Sequence, residues 1–204
     1  MGENKLIDVK DASNELLNSL THGEIKINES IGLIKAFLEE KPSAEYSLVI
    51  GTDSHEKETR LPTPPPDSAL TQSMRTGERR DGGQDNGISK TINLVTAVLV
   101  HRRGFGGKYF WRRKNMSNIH TLREKIYAET LESLNFALFY VPLLRKSLNG
   151  DSPNYNLEIH IDVGEHGDTR DMIREVVGMV TGNGFVAKTK PHAYGASYVA
   201  DKHT

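Results

Sequence analysis

The chain contains no cysteine and no long apolar run, and both absences limit what it can be. Without cysteine there is no disulfide framework, no zinc–thiolate site and no thiol nucleophile. No stretch reaches the roughly 20 apolar residues of a membrane span, and the N-terminus has no apolar core of signal-peptide length. We therefore expect a soluble, cytoplasmic protein without a membrane partner.

An excess of charge is also missing, because 26 basic residues face 27 acidic ones and the formal net charge is -1. Such a balance argues against a protein that coats nucleic acid by charge alone. A length of 204 residues is sufficient for one α/β domain with a large core and too short for two. The sequence therefore predicts a single α/β domain.

Two apolar segments each end in a carboxylate: residues 46–55 contain Asp53, and residues 156–164 contain Asp162. Open α/β sheets hold their ligands at the carboxyl ends of buried strands. If these strands are parallel neighbours, the two carboxylates lie side by side and repel each other unless a cation lies between them. Oxygen ligands favour Mg²⁺ or Mn²⁺ over zinc. Alternatively, Asp53 only caps a turn.

A long helix is predicted to follow the cap candidates Ser117 and Asn118. Its apolar stripe consists of Tyr127, Leu131, Leu134, Leu138 and Val141. Extended backwards, the stripe reaches Glu124, where a buried acid is costly unless a cation or a donor is present. Glu129, on a flanking face of the helix, is the alternative candidate. The other interpretation of both glutamates is that they are exposed acids in a surface charge cluster. Pro142 is predicted to kink or end this helix.

A basic and aromatic hairpin is predicted from residues 91–102 and 108–114, joined by a glycine-rich turn. The cations that we expect to hold a nucleic-acid backbone are Arg102, Arg103, Lys108, Arg112, Arg113 and Lys114. Aromatic residues alternate with them. The alternative is a solvated hairpin whose aromatic side chains pack inward.

Two segments are predicted to lie outside the folded core. Residues 1–44 form an N-terminal helical extension, with a short helix in residues 5–20 and a longer one that is capped by Asn28. Residues 56–90 lack periodicity and large apolar residues, which predicts a disordered insertion in the domain formed by residues 45–204.

The predicted elements assemble into a mixed five-stranded sheet flanked by helices. Three antiparallel strands come first, and parallel strands separated by helices follow. This arrangement resembles the α/β ribonuclease H-like fold, in which the strand order is 3-2-1-4-5. Enzymes of that fold take carboxylates from the first strand, the first core helix, the fourth strand and the last helix.

Four short segments resemble the YkuK-type ribonuclease H-like family of bacterial proteins: residues 50–54, 123–130, 160–164 and 190–201. The resemblance implies four catalytic acids, which are Asp53, Glu124, Asp162 and Asp201, with Glu129 as a further metal ligand. It also implies Mg²⁺ or Mn²⁺ as cofactor and two-metal hydrolysis of RNA or an RNA/DNA hybrid. Candidate proton shuttles are His55, His166, His192 and His203.

Two other functions remain consistent with this fold. A non-catalytic module that docks nucleic acid or protein would bind without metal and tolerate Asp53→Asn. An ATP-binding protein related to actin or sugar kinases would grip phosphates with residues 51–53 and 162–169, but it needs a second lobe for which the chain is too short.

Overall fold

The computed structural model describes residues 15–60, 88–148, 155–164 and 170–203. The strands within them are β1 (Leu16–Ser19), β2 (Gly23–Lys26), β3 (Tyr46–Arg60), β4 (Ile88–Arg102), β5 (Gly107–Ser117), β6 (Tyr155–His160) and β7 (Val186–Lys188). The helices are α1 (Ile27–Glu39), α2 (Leu122–Ser147) and α3 (Ile173–Gly182). A C-terminal turn consists of a π-helical part, Gly195–Ala200, and a 3-10 part, Asp201–His203. None of the described helices is long and apolar enough to cross a membrane.

All of these strands belong to one mixed sheet, in the order β2-β1-β5-β4-β3-β6-β7. Strands β3, β4 and β5 pair antiparallel, whereas β6 and β7 continue the sheet in parallel with β3. The predicted order 3-2-1-4-5 is thus confirmed as β5-β4-β3-β6-β7. The predicted count of five strands is too low, because β1 and β2 extend the sheet beyond β5.

These two added strands correct the prediction that the N-terminal extension is helical. Residues 16–19 and 23–26 pair as an antiparallel hairpin, so the short helix predicted in residues 5–20 is wrong over β1. Burial explains the strand, since Leu17 and Ile25 face the core while their neighbours along each strand are more exposed. Helix α1 then begins at Ile27 with Lys26 as its N-cap, not with Asn28. Residues 1–14 lie outside the described part.

Strands β3 and β4 also extend further than predicted. They pair in register from Tyr46 with Arg102 to Arg60 with Ile88. The predicted disorder of residues 56–90 is therefore wrong at both ends, because residues 56–60 and 88–90 are strand. Their ladder satisfies the backbone hydrogen bonds of these polar segments, which apolar periodicity does not reveal. Residues 61–87 lie outside the described part.

The buried face of α2 matches the predicted stripe only in part: Leu134 and Val141 are buried as predicted, but the face extends to positions one residue earlier in the sequence. Leu131 and Leu138 are 43% and 46% exposed. Positions one residue earlier, Ile126, Thr130, Ser133, Ala137 and Tyr140, are buried instead. Polar residues occupy this face because they find partners inside. The helix begins after Thr121 rather than after Ser117 or Asn118, and it continues past Pro142 to Ser147.

The two faces of the sheet are covered unequally. On one face, the main core joins the sheet to the three helices and includes Ile50, Phe110 and Tyr140. On the opposite face, the C-terminal turn covers a smaller cluster formed by Val95, Ala97, Trp111 and Ala200. Side chains of β3 alternate between the faces, so Asp53 lies on the side of the C-terminal turn and Ser54 on the side of α2.

Candidate acidic site

Adjacent parallel strands bring Asp53 and Asp162 to the same edge of the sheet. Gly51 of β3 is paired with His160 of β6, and each aspartate lies two residues further along its strand direction. Asp162 occupies a tight turn, because the backbone N–H of Val163 donates to the carbonyl of Ile161 at 2.8 Å. The negative charge of Asp162 acts on Asp53 strongly enough to raise its pKa. The structure thus brings these two predicted acids together.

The carboxyl of Asp53 has a raised pKa, chiefly because the side chain is partly buried. The charges of Asp162 and Asp201 raise it further. A hydrogen bond from the backbone N–H of Ser54 and the charge of Lys125 oppose the shift. Three acids from β3, the loop after β6 and the C-terminal turn therefore share one electrostatic environment.

Glu129 of α2 is the acid that joins this environment from the helical face. Its side chain is 6% exposed and accepts a hydrogen bond of 2.7 Å from the Ser54 hydroxyl. Burial, with the nearby charges of Asp53 and Asp162, raises its pKa to about 8, although the Ser54 hydroxyl and Lys125 act in the opposite direction. Glu129 therefore lies near Asp53 and Asp162, and its carboxyl group is still protonated at neutral pH.

Glu124 lies outside this group, and the prediction that it lies on the core-facing side of α2 is wrong. Its carboxylate accepts hydrogen bonds from the backbone N–H groups of His120 and Thr121 at 2.8 and 3.0 Å, and these lower its pKa. The Thr121 hydroxyl accepts in turn from the Glu124 N–H at 3.1 Å. This reciprocal arrangement is a capping box. The pattern Thr121-Leu-Arg-Glu124 could have indicated that role from the sequence.

Asp201 lies in the C-terminal turn, which is attached to the sheet through His160. The backbone N–H of Gly195 donates to Nδ1 of His160 at 2.9 Å, and Nε2 lies 3.2 Å from a carboxylate oxygen of Glu158. A Cβ atom at position 195 would come within 2.3 Å of Cγ1 of Val49, so only glycine permits this approach. Burial lowers the pKa of His160, although Glu158 acts in the opposite direction. The lowered pKa favours the neutral ring, whose Nδ1 can accept the hydrogen bond from Gly195.

Two lysines that the sequence analysis did not select lie beside the acids. Lys190 forms an ion pair of 2.9 Å with Oδ1 of Asp162, and Lys125 lowers the pKa of both Asp53 and Glu129. Lys125 follows Glu124 directly in the sequence, and no periodicity distinguishes it from its charged neighbours. Both lysines supply part of the positive charge that the clustered carboxylates require.

The residues around Asp53 match a hard divalent cation in donor chemistry, since all the acids offer oxygen. Burial is the chief cause of the raised pKa values of Asp53 and Glu129, and the charges of the neighbouring acids raise both further, a repulsion that a cation would relieve. However, among the residues that the structure describes, no three histidine or acidic side chains form a group that could hold a metal ion. The fit therefore lies in the chemistry and charge of the donors and not in a preformed coordination shell.

The cations of the predicted basic hairpin all have partners within the protein. Arg102 pairs with Glu40 at 3.4 Å and Arg103 with Glu45 at 3.1 Å. Arg112 and Lys114 both pair with the buried Glu132, at 2.8 and 2.9 Å, and Arg112 also contacts Glu15. Lys108 lies over the ring of Phe37, and Arg113 donates to the carbonyl of His203.

Strand alternation divides these cations between the two sheet faces. Lys108, Arg112 and Lys114 lie on the helical side, whereas Arg113 lies on the side of the C-terminal turn. They do not form one continuous basic surface. Binding of a nucleic-acid backbone by all six residues stays a prediction.

The candidate proton shuttles also separate. His55 and His192 are exposed, whereas the ring of His203 is stacked on Trp111. His166 lies outside the described residues, as do residues 165–169 of the predicted phosphate-gripping loop.

Comparison with known proteins identifies the class that the sheet order and the acids suggest. The family model described as Ribonuclease H-like matches residues 83–204, so the chain belongs to the ribonuclease H-like family. Within that class, it is similar to the uncharacterized protein YkuK of Bacillus subtilis (strain 168), with 28% identity over 201 residues, which covers 95% of this chain and 99% of that protein. The predicted YkuK-type membership is thereby confirmed. No solved structure gave a significant match.

Proposed function

We propose that this protein is a metal-dependent nuclease that hydrolyses phosphodiester bonds of RNA or an RNA-containing duplex. The observation that supports the proposal is the electrostatic coupling of Asp53 to Asp162 and Asp201 at the carboxyl ends of two parallel strands. These residues are far apart in the sequence, and a ribonuclease H-like sheet brings them together. Gathering like charges is costly unless a cation is to be bound.

Asp53, Asp162, Glu129 and Asp201 are the residues that would hold Mg²⁺ or Mn²⁺. The chemistry that such ions supply is activation of the attacking water and stabilisation of charge on the leaving oxygen. Glu129 has to lose its proton before it ligates a cation, because burial raises the pKa of its carboxyl to about 8. The Ser54 hydroxyl orients this carboxyl, and Lys190 holds Asp162 at the end of its strand.

A non-catalytic docking module is the second candidate, and one observation favours it. The described acids form no three-residue group that could hold a metal ion, and Lys190 and Lys125 already compensate part of their charge. Such a module would bind nucleic acid without added metal. It would also bind equally well after Asp53→Asn.

The test is a cleavage assay with Mg²⁺ or Mn²⁺ on RNA, DNA and hybrid duplexes. Asp53→Asn and Asp162→Asn should each lower the cleavage rate by about 100-fold or more. Loss of a residue that only hydrogen-bonds to a metal ligand already costs up to about 100-fold, and loss of the ligand itself should cost at least as much. Glu124→Gln is the matched control, since Glu124 lies on α2 but caps the helix. Equal cleavage by wild type and both aspartate variants would exclude this site. Binding without any cleavage would favour the docking module.

A further inference from the structure

His203, in the C-terminal turn, covers an aromatic strip on β5. Tyr109, Trp111 and Arg113 alternate along this strand and therefore share one sheet face. The ring of His203 is stacked on Trp111, with centroids 3.7 Å apart and an interplanar angle of 6°. Its Nε2 lies 3.2 Å from the hydroxyl of Tyr109. One planar, nitrogen-containing ring thus lies flat on the indole.

Arg113 binds the backbone of the same histidine. Its Nε and Nη2 atoms donate to the carbonyl oxygen of His203 at 3.0 and 2.8 Å. A guanidinium fork that surrounds oxygen is also the usual arrangement for recognising phosphate. His203 therefore presents a flat ring to a tryptophan and an oxygen to an arginine, as one nucleotide would do with its base and its phosphate.

Trp111 retains an unsatisfied polar group beneath His203. The residue is 7% exposed, and its indole N–H has no hydrogen-bond acceptor among the described residues. A buried donor without an acceptor is unfavourable. A ligand that replaces His203 can supply an acceptor, such as a sugar or phosphate oxygen, that the histidine does not.

The strip is aligned with the acidic site across the sheet. Arg113 pairs with Val95 of β4, and Val95 pairs with Asp53 of β3, so Arg113 and Asp53 are on the same face. Two strand spacings separate them, or about 10 Å. Asp201 precedes His203 by two residues in the turn that packs on this face. A nucleic-acid strand that is bound on Trp111 and Arg113 would thus run towards Asp53 and Asp201.

We propose that Trp111 and Arg113 form a subsite for one nucleotide of a single-stranded nucleic acid, and that His203 fills this subsite in the free protein. The base replaces the imidazole on Trp111, and the phosphate replaces the His203 carbonyl at Arg113. The inference rests on the proposed function for its substrate class.

Trp111 is the only tryptophan in the chain, so intrinsic fluorescence reports directly on this subsite. The probe is an oligouridylate of about twelve nucleotides, a length within the range of single-stranded binding sites, titrated in EDTA. Stacking should quench the fluorescence of wild type. His203→Ala should bind at least about fivefold more tightly, which is the lower limit of one base–aromatic stack, because the competing ring is removed. His192→Ala, which changes an exposed histidine of the same region, should bind like wild type.

The arginine is tested in the His203→Ala background. Arg113→Gln should lower the affinity by about fivefold or more, since a phosphate contact is lost. Arg145→Gln is the matched control, because Arg145 is exposed in the last turn of α2, on the other side of the sheet, and is not one of the predicted nucleic-acid contacts. An oligothymidylate should bind as well as the oligouridylate, because neither contact involves the 2′-hydroxyl. A strict requirement for RNA would contradict the assignment.

Unchanged fluorescence in a folded His203→Ala protein would overturn the subsite. If that variant does not fold, the NMR resonance of the Trp111 indole N–H in wild type is measured instead. A shift on addition of the oligouridylate supports the subsite, and no shift excludes it. The two proposals fail separately. Quenching without cleavage would remove the nuclease and keep the subsite, whereas cleavage without quenching would remove the subsite alone.

Discussion

Glu129 and Glu132 lie about one turn apart on α2, and both are buried, but their surroundings differ. Glu132 is 3% exposed and accepts from Arg112 and Lys114 at 2.8 and 2.9 Å. Glu129 is 6% exposed and accepts from the uncharged Ser54, while Asp53 and Asp162 lie close enough to raise its pKa. The same residue type on the same helix is compensated in one place and left short of positive charge in the other.

The difference is the one expected between an acid with a structural role and an acid of the proposed site. A buried carboxylate is tolerated when cations and donors of the protein surround it, as at Glu132, which joins β5 to α2. Where burial is not offset by enough positive charge and neighbouring acids add repulsion, the carboxyl keeps its proton, as at Glu129. Perturbed carboxyl groups of this second kind concentrate at functional sites.

The largest expected effect is on stability, at the compensated acid. Glu132→Gln should lower the free energy of unfolding by about 3–5 kcal/mol, because it removes the buried charge that Arg112 and Lys114 share and leaves Glu15 as the remaining described carboxylate beside Arg112. Urea denaturation at pH 7 measures the loss. The paired variant, Glu129→Gln, should show no comparable loss at this pH. Similar values for the two variants would mean that both acids are structural.

The next effect is the pH dependence that Glu129 produces. Between its ordinary pKa of 4.5 and its raised pKa of about 8, the folded protein keeps a proton that the unfolded chain releases. Its contribution to stability is therefore complete below pH 4.5 and is lost as the pH rises to 8. By pH 8 the loss should be on the order of 4 kcal/mol, at about 1.4 kcal/mol for each pKa unit of the shift.

Denaturation of wild type and Glu129→Gln across this pH range tests the prediction. The glutamine variant lacks the titrating group and should become the more stable of the two at pH 8. Parallel stability profiles would show that Glu129 titrates normally.

A smaller effect is expected from added metal. At a concentration ten times its dissociation constant, Mg²⁺ or Mn²⁺ should stabilise wild type by about 1.4 kcal/mol. Binding should also release a proton from Glu129 near pH 7, which calorimetry in buffers of different ionisation enthalpy detects. Asp53→Asn should lose both responses, and Glu124→Gln should keep them. Stabilisation without proton release would place the cation away from Glu129.

The smallest effect belongs to the exposed acid. Glu124→Gln removes charge from the capping box and should lower the melting temperature much less than Glu132→Gln does. The lowered pKa of Glu124 means that this contribution is present above pH 4.5 and disappears as the pH falls through the lowered pKa. Thermal melts at pH 7 and pH 3 compare the two states. A larger loss than in Glu132→Gln would reverse the assignment of the two acids.

The sequence predicted the sheet well because its strands carry strong local signals. Asp53 and Asp162 follow apolar runs of strand length, and parallel pairing is enough to bring their ends together. The motifs of the YkuK-type family added Glu124 of the helix and Asp201 near the C-terminus as candidates. The charge of Asp201 raises the pKa of Asp53, whereas Glu124 is not among the charges that shift it.

The helical acid was misplaced because hydrophobicity does not identify a polar face that is satisfied internally. Thr130 and Ser133 are buried through hydrogen bonds to Ile126 and Thr52, while Leu131 remains in part exposed. The stripe of leucines therefore indicated only one flank of the buried face of α2, which includes Leu134 but not Leu131 or Leu138. Contacts over long sequence distances, such as that between Gly195 and His160, have no local signal at all.

The hairpin β1–β2 also determines which strand edges the molecule offers to other chains. β1 lies against β5, where Asn18 pairs with Trp111 and its side-chain amide donates to the Trp111 carbonyl at 3.4 Å. At the other end of the sheet the outermost strand, β7, is only three residues long and includes Lys188. Short or charged outer strands resist edge-to-edge aggregation. Removing the N-terminal hairpin would instead uncover β5 around Trp111 and make self-association through intermolecular strand pairing the expected fate of the shortened protein.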